Sequence, residues 1–151
     1  MEISTKSFDD FGKKLSAFNI KIRLLDDSFI TVESAYQGSK IFENGGPYID
    51  LFRRSGFEIK KDPRLHESGK LLKFIFDDEE WGLNPITAFY DWLYLKALYQ
   101  NDELSNKLLN YNGFTDIEFN PEKSVSCQAR SAALFVGLYK RNLLNDAMRR
   151  K

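Results

Sequence analysis

Residues 84–100 read Asn-Pro-Ile-Thr-Ala-Phe-Tyr-Asp-Trp-Leu-Tyr-Leu-Lys-Ala-Leu-Tyr-Gln, with apolar or aromatic side chains in every turn. Asn84 is a residue type that favours the N-cap of a helix, and proline is favoured at the first helical position, where Pro85 stands. The pair predicts a helix over residues 86–100. Because apolar side chains would point in nearly all directions around it, we expect this helix to be buried on most sides.

Shorter elements are predicted on both sides of this helix. Asp26-Asp27-Ser28 separates two apolar runs and predicts a hairpin, and Thr31 is a candidate N-cap for the helix that follows. The expected elements are strands at 20–25 and 29–32, helices at 31–42 and 48–54, a strand at 71–76 closed by an acidic turn at 77–80, a helix at 102–110, a strand at 114–119 and a helix at 126–141. Residues 1–19 are expected to form an arm or turn, and 60–69 a charged, turn-rich segment. This order predicts an α+β fold, a predominantly helical single domain with a few short strands.

Length and composition limit the function classes. The chain has 151 residues, which fits one domain, and 22 basic and 22 acidic residues, which leave no net charge. A wide nucleic-acid-binding surface is therefore not indicated, and any contact with a polyanion should be local. The single Cys127 and the single His66 leave no internal disulfide and no Cys/His metal cluster, so no cofactor is expected. The N-terminal segment lacks a long apolar run, so neither a signal peptide nor a membrane span is expected there. The cytoplasm is therefore the expected compartment.

Four polar or aromatic side chains recur at helical spacing in the segment that follows Thr31. Glu33, Tyr36, Gln37 and Lys40 stand at i, i+3, i+4 and i+7, so a helix over 31–42 would place them on one stripe. Glu33 and Lys40 would then lie roughly 10 Å apart along the axis. The stripe fits a catalytic face of carboxylate, phenol, amide and amine. From spacing alone, a solvated helix face is the favoured interpretation.

The motif around this stripe resembles the first block of the NADAR (YbiA-like) N-glycosidase family. That block runs Phe-Ser-Asn-Phe, a short hairpin, then Thr-x-Glu-His-x-x-Gln-x-x-Lys-Phe. Here Leu-Ser-Ala-Phe stands at 15–18 and Thr-Val-Glu-Ser-Ala-Tyr-Gln-Gly-Ser-Lys-Ile-Phe at 31–42. The matching residues are Ser16, Phe18, Thr31, Glu33, Gln37, Lys40 and Phe42. The sequence departs from the family at Ala17, Ser34 and Ile41.

Two later blocks are similar to the same family. Asp91-Trp92 resembles its tryptophan-bearing helix, residues 115–121 its Leu-Val-Glu strand, and residues 127–131 the start of its last helix. The resemblance thus spans about residues 15–140. More narrowly, residues 33–48, 62–65 and 87–98 resemble the antitoxins found beside DarT-type toxins. Those toxins ADP-ribosylate guanine in DNA, and the antitoxins remove the ADP-ribose.

The resemblance implies an N-glycosidase that hydrolyses ADP-ribose from guanine in DNA or a nucleotide, with ADP-ribose as product and a DarT-like toxin as partner. The oxocarbenium-like transition state of such a cleavage favours a nearby carboxylate, which makes Glu33 the first catalytic candidate. Near a helix N-terminus the dipole favours its ionised form, hence a base or charge stabiliser. Lys40 is the second candidate, as an amine that burial neutralises and that attacks the opened ribose to form a Schiff base. The alternative for Lys40 is a lysine whose amine reaches solvent at the helix end.

The other candidates are binding residues. Trp92 matches the family's active-site tryptophan and would stack on the base or ribose, although a core tryptophan would have the same pattern. The substrate-binding candidates are Ser16, Phe18, Tyr36, Gln37, Glu118, Asn120 and Gln128, with Arg23 for the diphosphate. Lys60, Lys61 and Arg64 share the charge of Arg23 and are candidates by charge alone, and for all four a solvated surface is the favoured interpretation. His66 is expected in a turn, and Cys127 as a packed small residue.

Two other functions remain open from the sequence. The enzyme would act on a small ribosylamine intermediate of flavin synthesis, or the protein would neutralise a toxin by binding it without catalysis.

Overall fold

The computed structural model describes residues 3–7, 9–111, 113 and 128–149. Its α-helices are α1 (Asp10–Lys14), α2 (Val32–Gly38), α3 (Gly56–Ile59), α4 (Arg64–Glu67), α5 (Ala88–Tyr99), α6 (Asp102–Leu108), α7 (Gln128–Lys140) and α8 (Leu144–Arg149), with a 3-10 helix at Ile49–Arg53. Its strands are β1 (Lys21–Arg23), β2 (Phe29–Thr31), β3 (Lys40–Phe42), β4 (Leu71–Phe76) and β5 (Glu79–Trp81). Strands β1 and β2 form one sheet, and β3, β4 and β5 form a second in the order β3-β4-β5. The predicted α+β class is confirmed.

Helix α5 lies at the centre of the fold. It packs against α2, β1, α6, α7 and α8, and Phe89, Leu93, Tyr94 and Leu98 are completely buried on it. Each such side chain contributes about 1.5–3 kcal/mol relative to an exposed one. The hydroxyl of Tyr94 donates a buried hydrogen bond of 2.5 Å to the carbonyl oxygen of Leu15. The predicted burial on most sides is confirmed.

The predicted start of α5 is wrong. The helix begins at Ala88, and its N-cap is Thr87, without a side-chain hydrogen bond. Asn84 does not cap it, because the chain first makes a turn in which the Ala88 N–H donates to the carbonyl oxygen of Pro85 at 3.1 Å. The helical hydrogen bonds start only after this turn, with the Asp91 N–H on the carbonyl oxygen of Thr87 at 3.0 Å.

The hairpin and the helix start that follow it are confirmed. Strands β1 and β2 pair antiparallel with Ile22 opposite Ile30, and both isoleucines are buried. Thr31 caps α2, since its hydroxyl oxygen accepts the N–H of Ser34 at 3.1 Å. A hydroxyl at this position satisfies one of the free amides of the first turn.

The predicted length of the following helix is wrong. Helix α2 ends at Gly38, and residues Lys40–Phe42 form strand β3, which pairs antiparallel with β4. Two contacts explain the end. The Gly38 backbone lies against the ring of Phe52, where a Cβ would stand 2.6 Å from Cδ1. One residue later, the carbonyl oxygen of Ser39 accepts the N–H of Ile75 at 2.9 Å and so enters the sheet. Lys40 is therefore not on the helical stripe of Glu33.

The strand predicted at residues 71–76 is confirmed as β4. Within the acidic segment predicted as a turn at 77–80, only Asp77 and Asp78 form a hairpin turn, because Glu79 and Glu80 belong to β5 (Glu79–Trp81), which returns along β4. Asp77 and Asp78 have φ angles of 47° and 65°. Aspartate tolerates this left-handed conformation, which two-residue hairpin turns require at both central positions.

Three short helices were not predicted: α1 and α4 stand where turns were expected, and α3 lies at residues for which the sequence predicted no element. Helix α1 lies within the predicted N-terminal arm and is capped by Asp9, whose carboxylate accepts the N–H of Phe11 at 2.9 Å. Ser55 caps α3 in the same way, and α4 follows it in the charged segment. The short helix predicted at 48–54 is confirmed as the 3-10 helix, and α6 and α7 are confirmed within their predicted ranges. The strand predicted at 114–119 lies outside the described residues.

Among the residues described, none of the helices combines the length and the apolar character that crossing a bilayer would require.

Alanine at position 38 tests the close approach of the last residue of α2 to the Phe52 ring. Gly38→Ala should lower the free energy of unfolding by about 1–3 kcal/mol, because its Cβ overpacks against Phe52. Gly137→Ala is the matched control, since no atom lies within 4 Å of its Cβ in the middle of α7. That substitution should raise stability by about 0.5–1 kcal/mol through helix propensity. Urea unfolding midpoints measure both, and a stabilising Gly38→Ala would contradict this close approach.

Candidate functional site

Glu33 lies in the first turn of α2 and is 8% exposed. Its position is held from two sides by backbone hydrogen bonds. The Glu33 N–H donates to the carbonyl oxygen of Ala17 at 2.9 Å, and the hydroxyl of the next residue, Ser34, donates to the carbonyl oxygen of Arg54 at 2.7 Å. The segments before β1 and before α3 therefore meet at the turn that carries this carboxylate.

Gln37 lies one helical turn after Glu33 and contacts it directly. Its Nε2 donates to Glu33 Oε1 at 2.9 Å, which confirms that these two stripe residues share a face. Its Oε1 is buried and has no hydrogen-bond partner among the described residues. A buried acceptor in that state costs free energy, so it is a group that a ligand would satisfy.

Lys40 lies at the first position of β3 and is half-buried. Its Nζ stands 5.0 Å from the centroid of the Tyr36 ring. Burial lowers the pKa of Lys40 below its ordinary value, and the charge of Glu33 acts against that shift. The two side chains are therefore electrostatically coupled although they belong to a helix and a strand. Among the residues that the structure describes, no direct ion pair joins them.

The backbone of Lys40 is held by an adjacent turn. Gly46 has a φ of 104°, and a Cβ there would clash with the carbonyl oxygen of Lys40. Only glycine adopts this conformation at such close approach without strain.

Tyr36 belongs to a cluster of aromatic rings between α2, the β3-β4-β5 sheet and α5. The aromatic cluster consists of Tyr36, Phe74, Phe76, Trp81, Phe89, Tyr90 and Trp92. Trp92 lies at its far end from Tyr36, half-buried, with its ring centroid 5.3 Å from that of Trp81. The indole nitrogens of Trp81 and Trp92 are buried and have no hydrogen-bond partner among the described residues.

Gln128 and Ser16 hold the segment whose Ala17 carbonyl contacts the Glu33 turn. Gln128 is buried and bridges two backbone segments, because its Oε1 accepts the Ala17 N–H at 2.7 Å and its Nε2 donates to the carbonyl oxygen of Ile3 at 2.8 Å. The hydroxyl oxygen of Ser16 accepts the N–H of Phe18 at 3.2 Å. The Phe18 side chain is half-buried.

The cations considered for a diphosphate differ in their surroundings. Arg64 donates hydrogen bonds to the carboxylates of both Asp50 and Asp62, and these bonds hold the pKa of Asp62 at about 2. Arg64 is thus engaged within the protein. Arg23, Lys60 and Lys61 are exposed. Glu118 and Asn120 lie outside the described residues.

The sequence reasoning missed one buried polar cluster, which joins α5 to α7. Asp91 accepts hydrogen bonds of 2.7 Å from Arg130 and from Ser131. Burial raises the pKa of Asp91 above its ordinary value, and the Ser131 hydrogen bond and the Arg130 charge oppose that rise. The signal that would have found this cluster is an aspartate inside an otherwise apolar helix, because a buried carboxylate needs partners.

Two surface cavities lie away from Glu33 and Lys40. One of about 390 Å³ is lined by residues of the β1–β2 hairpin and of the α5–α6 junction, and one of about 610 Å³ by residues of α6, α7 and α8. We place the candidate site at Glu33 because the coupled carboxylate and amine lie there and not in either cavity. Within the described part of the chain, no group of three or more His, Cys, Asp or Glu residues is arranged to hold a metal ion.

The coupling between Glu33 and Lys40 is testable by titration. Because the Glu33 charge raises the Lys40 pKa against the effect of burial, Glu33→Gln should lower that pKa further. Glu79→Gln is the control, since Glu79 is an exposed carboxylate in β5. NMR titration of labelled lysine measures the Lys40 pKa in each variant. An unchanged or raised Lys40 pKa in Glu33→Gln would show that the two groups do not interact.

Comparison with known protein families matches the chain to one family over residues 1–151, described as DarT1-associated NADAR antitoxin. A search among curated proteins finds no relative that matches the chain. The match covers every segment that builds the site, including the Glu33 turn, the Lys40 strand and the tryptophan-bearing α5. The chain belongs to the NADAR family, in the group of DarT1-associated NADAR antitoxins.

Proposed function

We propose that the protein is an N-glycosidase that removes ADP-ribose from guanine in DNA, and that it thereby counteracts an ADP-ribosylating toxin of the DarT type. The observation that carries the proposal is the pairing of a buried carboxylate, Glu33, with an amine whose pKa burial lowers, Lys40. The carboxylate can stabilise the positive charge that develops on the sugar, and the neutral amine can attack the opened ribose. The family match supports the antitoxin role.

Glu33 is assigned to proton transfer and charge stabilisation. As the bond between the anomeric carbon and the guanine nitrogen breaks, positive charge develops on the sugar, and a carboxylate beside it lowers the barrier. In the direct route, water adds to the anomeric carbon, Glu33 takes a proton from that water, and the guanine nitrogen gains a proton as it leaves. The Gln37 amide keeps the carboxylate oriented through its hydrogen bond to Oε1.

Lys40 offers a covalent route to the same products. When the ribose ring opens, its anomeric carbon is doubly bonded to the guanine nitrogen. The neutral Lys40 amine adds to that carbon, the protonated guanine amine leaves, and a Schiff base joins the carbon to Lys40. Water then adds to the same carbon and expels the lysine amine, which leaves the aldehyde of free ADP-ribose to close its ring. No oxidant or reductant is needed, because water is the only reactant consumed.

The remaining groups are proposed to bind the substrate. Trp92 presents an aromatic surface and a buried indole N–H without a partner among the described residues, which suits stacking and a hydrogen bond to the base or ribose. Gln37 Oε1 supplies an acceptor. Arg23, as an exposed cation, is retained for the diphosphate, whereas Arg64 would first have to leave two carboxylates.

Loss of the Glu33 carboxylate tests the activity. The protein should release ADP-ribose from an ADP-ribosylated oligonucleotide, and Glu33→Gln should reduce the rate about 10²–10⁴-fold, the usual contribution of general acid–base catalysis. Chromatographic detection of free ADP-ribose gives the rate, with Glu79→Gln as the control that keeps it.

Three results would contradict this assignment. Undiminished release by Glu33→Gln would remove Glu33 from the reaction. Turnover of a small ribosylamine with none on modified DNA would select a metabolic substrate. Toxin neutralisation and a stable toxin complex that both survive Glu33→Gln would favour an antitoxin that acts by binding.

The covalent route is tested by reductive trapping. Incubation of the wild-type protein with substrate and cyanoborohydride should give a mass adduct on the peptide that contains Lys40, and Lys40→Ala should give none. Lys70→Ala, which removes an exposed lysine at the start of β4, should keep the adduct. A wild-type protein that turns over substrate without any adduct would leave the direct route.

A further inference from the structure

An exposed aromatic side chain stands beside the candidate site. Phe57, in α3, is 58% exposed, and its ring meets that of Phe18 edge to face with centroids 4.9 Å apart. Lys60 Nζ lies 4.6 Å from the centroid of the Phe18 ring. These three side chains form one surface of two rings and one ammonium group, which we call the Phe18–Phe57 platform.

The platform is fixed to the turn that carries Glu33. On the Phe18 side, the preceding residue, Ala17, accepts the Glu33 N–H at 2.9 Å. On the Phe57 side, the Ser34 hydroxyl donates to the carbonyl oxygen of Arg54, two residues before α3. Gly56 closes the arrangement, because a Cβ there would stand 2.7 Å from Cδ2 of Phe18. The segments that carry both rings are therefore tied to the turn that carries Glu33.

The charge around the platform is positive. Residues 54–61 read Arg-Ser-Gly-Phe-Glu-Ile-Lys-Lys, with three cations and one carboxylate. Arg54, Lys60 and Lys61 are exposed. Residues 50–64 as a whole carry five basic and three acidic side chains, so the segment stays positive with Asp50 and Asp62 included. An exposed aromatic ring flanked by cations is the arrangement that binds single-stranded nucleic acid, because bases stack on the ring and phosphates meet the cations.

We propose that the Phe18–Phe57 platform binds an unpaired nucleobase next to the modified guanine, with Phe57 as the stacking surface and Lys60 near the backbone phosphate. The inference rests on the proposed function, since it assigns the polymer part of that substrate. A base inside a duplex does not offer its face to a protein ring, and a modified base must leave the stack to be processed. An oligonucleotide that offers an unpaired neighbouring base therefore gains a stacking contact that a free modified nucleotide lacks.

The test compares two substrates that share the reacting group. KM is measured for ADP-ribosylated guanine within a single-stranded oligonucleotide and within a mononucleotide, using the full chain. Phe57→Ala should raise the KM for the oligonucleotide roughly 5- to 150-fold, the effect of losing one base–aromatic stack. The KM for the mononucleotide should not change, so the two KM values should become more similar. Phe57→Trp should restore the KM. Phe29→Ala is the matched control, since Phe29 is the same residue type, 57% exposed, on β2, and should leave both KM values unchanged.

The outcomes separate this inference from the proposed function. Equal oligonucleotide KM values for wild type and Phe57→Ala, or an equal loss in Phe29→Ala, would overturn the platform while the activity stands. A wild-type protein that releases ADP-ribose from neither substrate contradicts the proposed function. Fluorescence anisotropy with an unmodified single strand then decides the platform alone. Weaker binding of the single strand by Phe57→Ala than by Phe29→Ala supports the platform. Equal binding of the strand by the two variants overturns it, as does an effect of Phe57→Ala on toxin binding only.

Discussion

The burial of α5 on most sides determines where the other elements lie. A helix with apolar residues around its whole circumference is stable only when other elements cover each face, and here α2, β1, α6, α7 and α8 share that task. Because α2 packs on one face of α5, the turn that carries Glu33 is pressed into the interior. The aromatic cluster fills the space between α2, α5 and the larger sheet, and it brings Trp92 and Tyr36 into one continuous set of ring contacts.

Polar groups in this interior are arranged in two different ways. Asp91 is neutralised in place by Arg130 and Ser131, which satisfies a buried carboxylate and ties α5 to α7. At the candidate site, and among the described residues, Glu33 has an amide partner but no direct ion pair, and Gln37 Oε1 has no hydrogen-bond partner. Burial lowers the pKa of Lys40. Burying such groups costs free energy unless partners compensate. The difference separates a structural cross-link from a site with unused capacity for a ligand.

The cations of residues 54–64 differ in their contacts although the sequence makes them look equivalent. Arg64 is held by Asp50 and Asp62 and lies over the Tyr48 ring, with the guanidinium carbon 4.5 Å from its centroid. The segment around Phe57 remains positive because residues 50–64 carry five basic and three acidic side chains. A residue that looks like a phosphate ligand from its charge is therefore already engaged by carboxylates of its own segment.

The sequence by itself determined the parts that depend on local chemistry: the buried character of α5, the β1–β2 hairpin, the Thr31 cap, strand β4, and the motif that marks Glu33, Gln37 and Lys40 as a set. It could not place Lys40, because residues 31–42 have helical spacing throughout and only the contact of Gly38 with Phe52 and the pairing of β3 with β4 end the helix. It could not separate Arg64 from Lys60, because the contacts that distinguish them, Arg64 with Asp50 and Lys60 with Phe18, join residues that only the fold brings together. Tertiary structure decided that the Glu33 carboxylate and the Lys40 amine interact electrostatically although one belongs to a helix and the other to a strand. The physical reason is that sheet pairing and ring packing, which are long-range, outweighed the weak local preference for helix at 39–42.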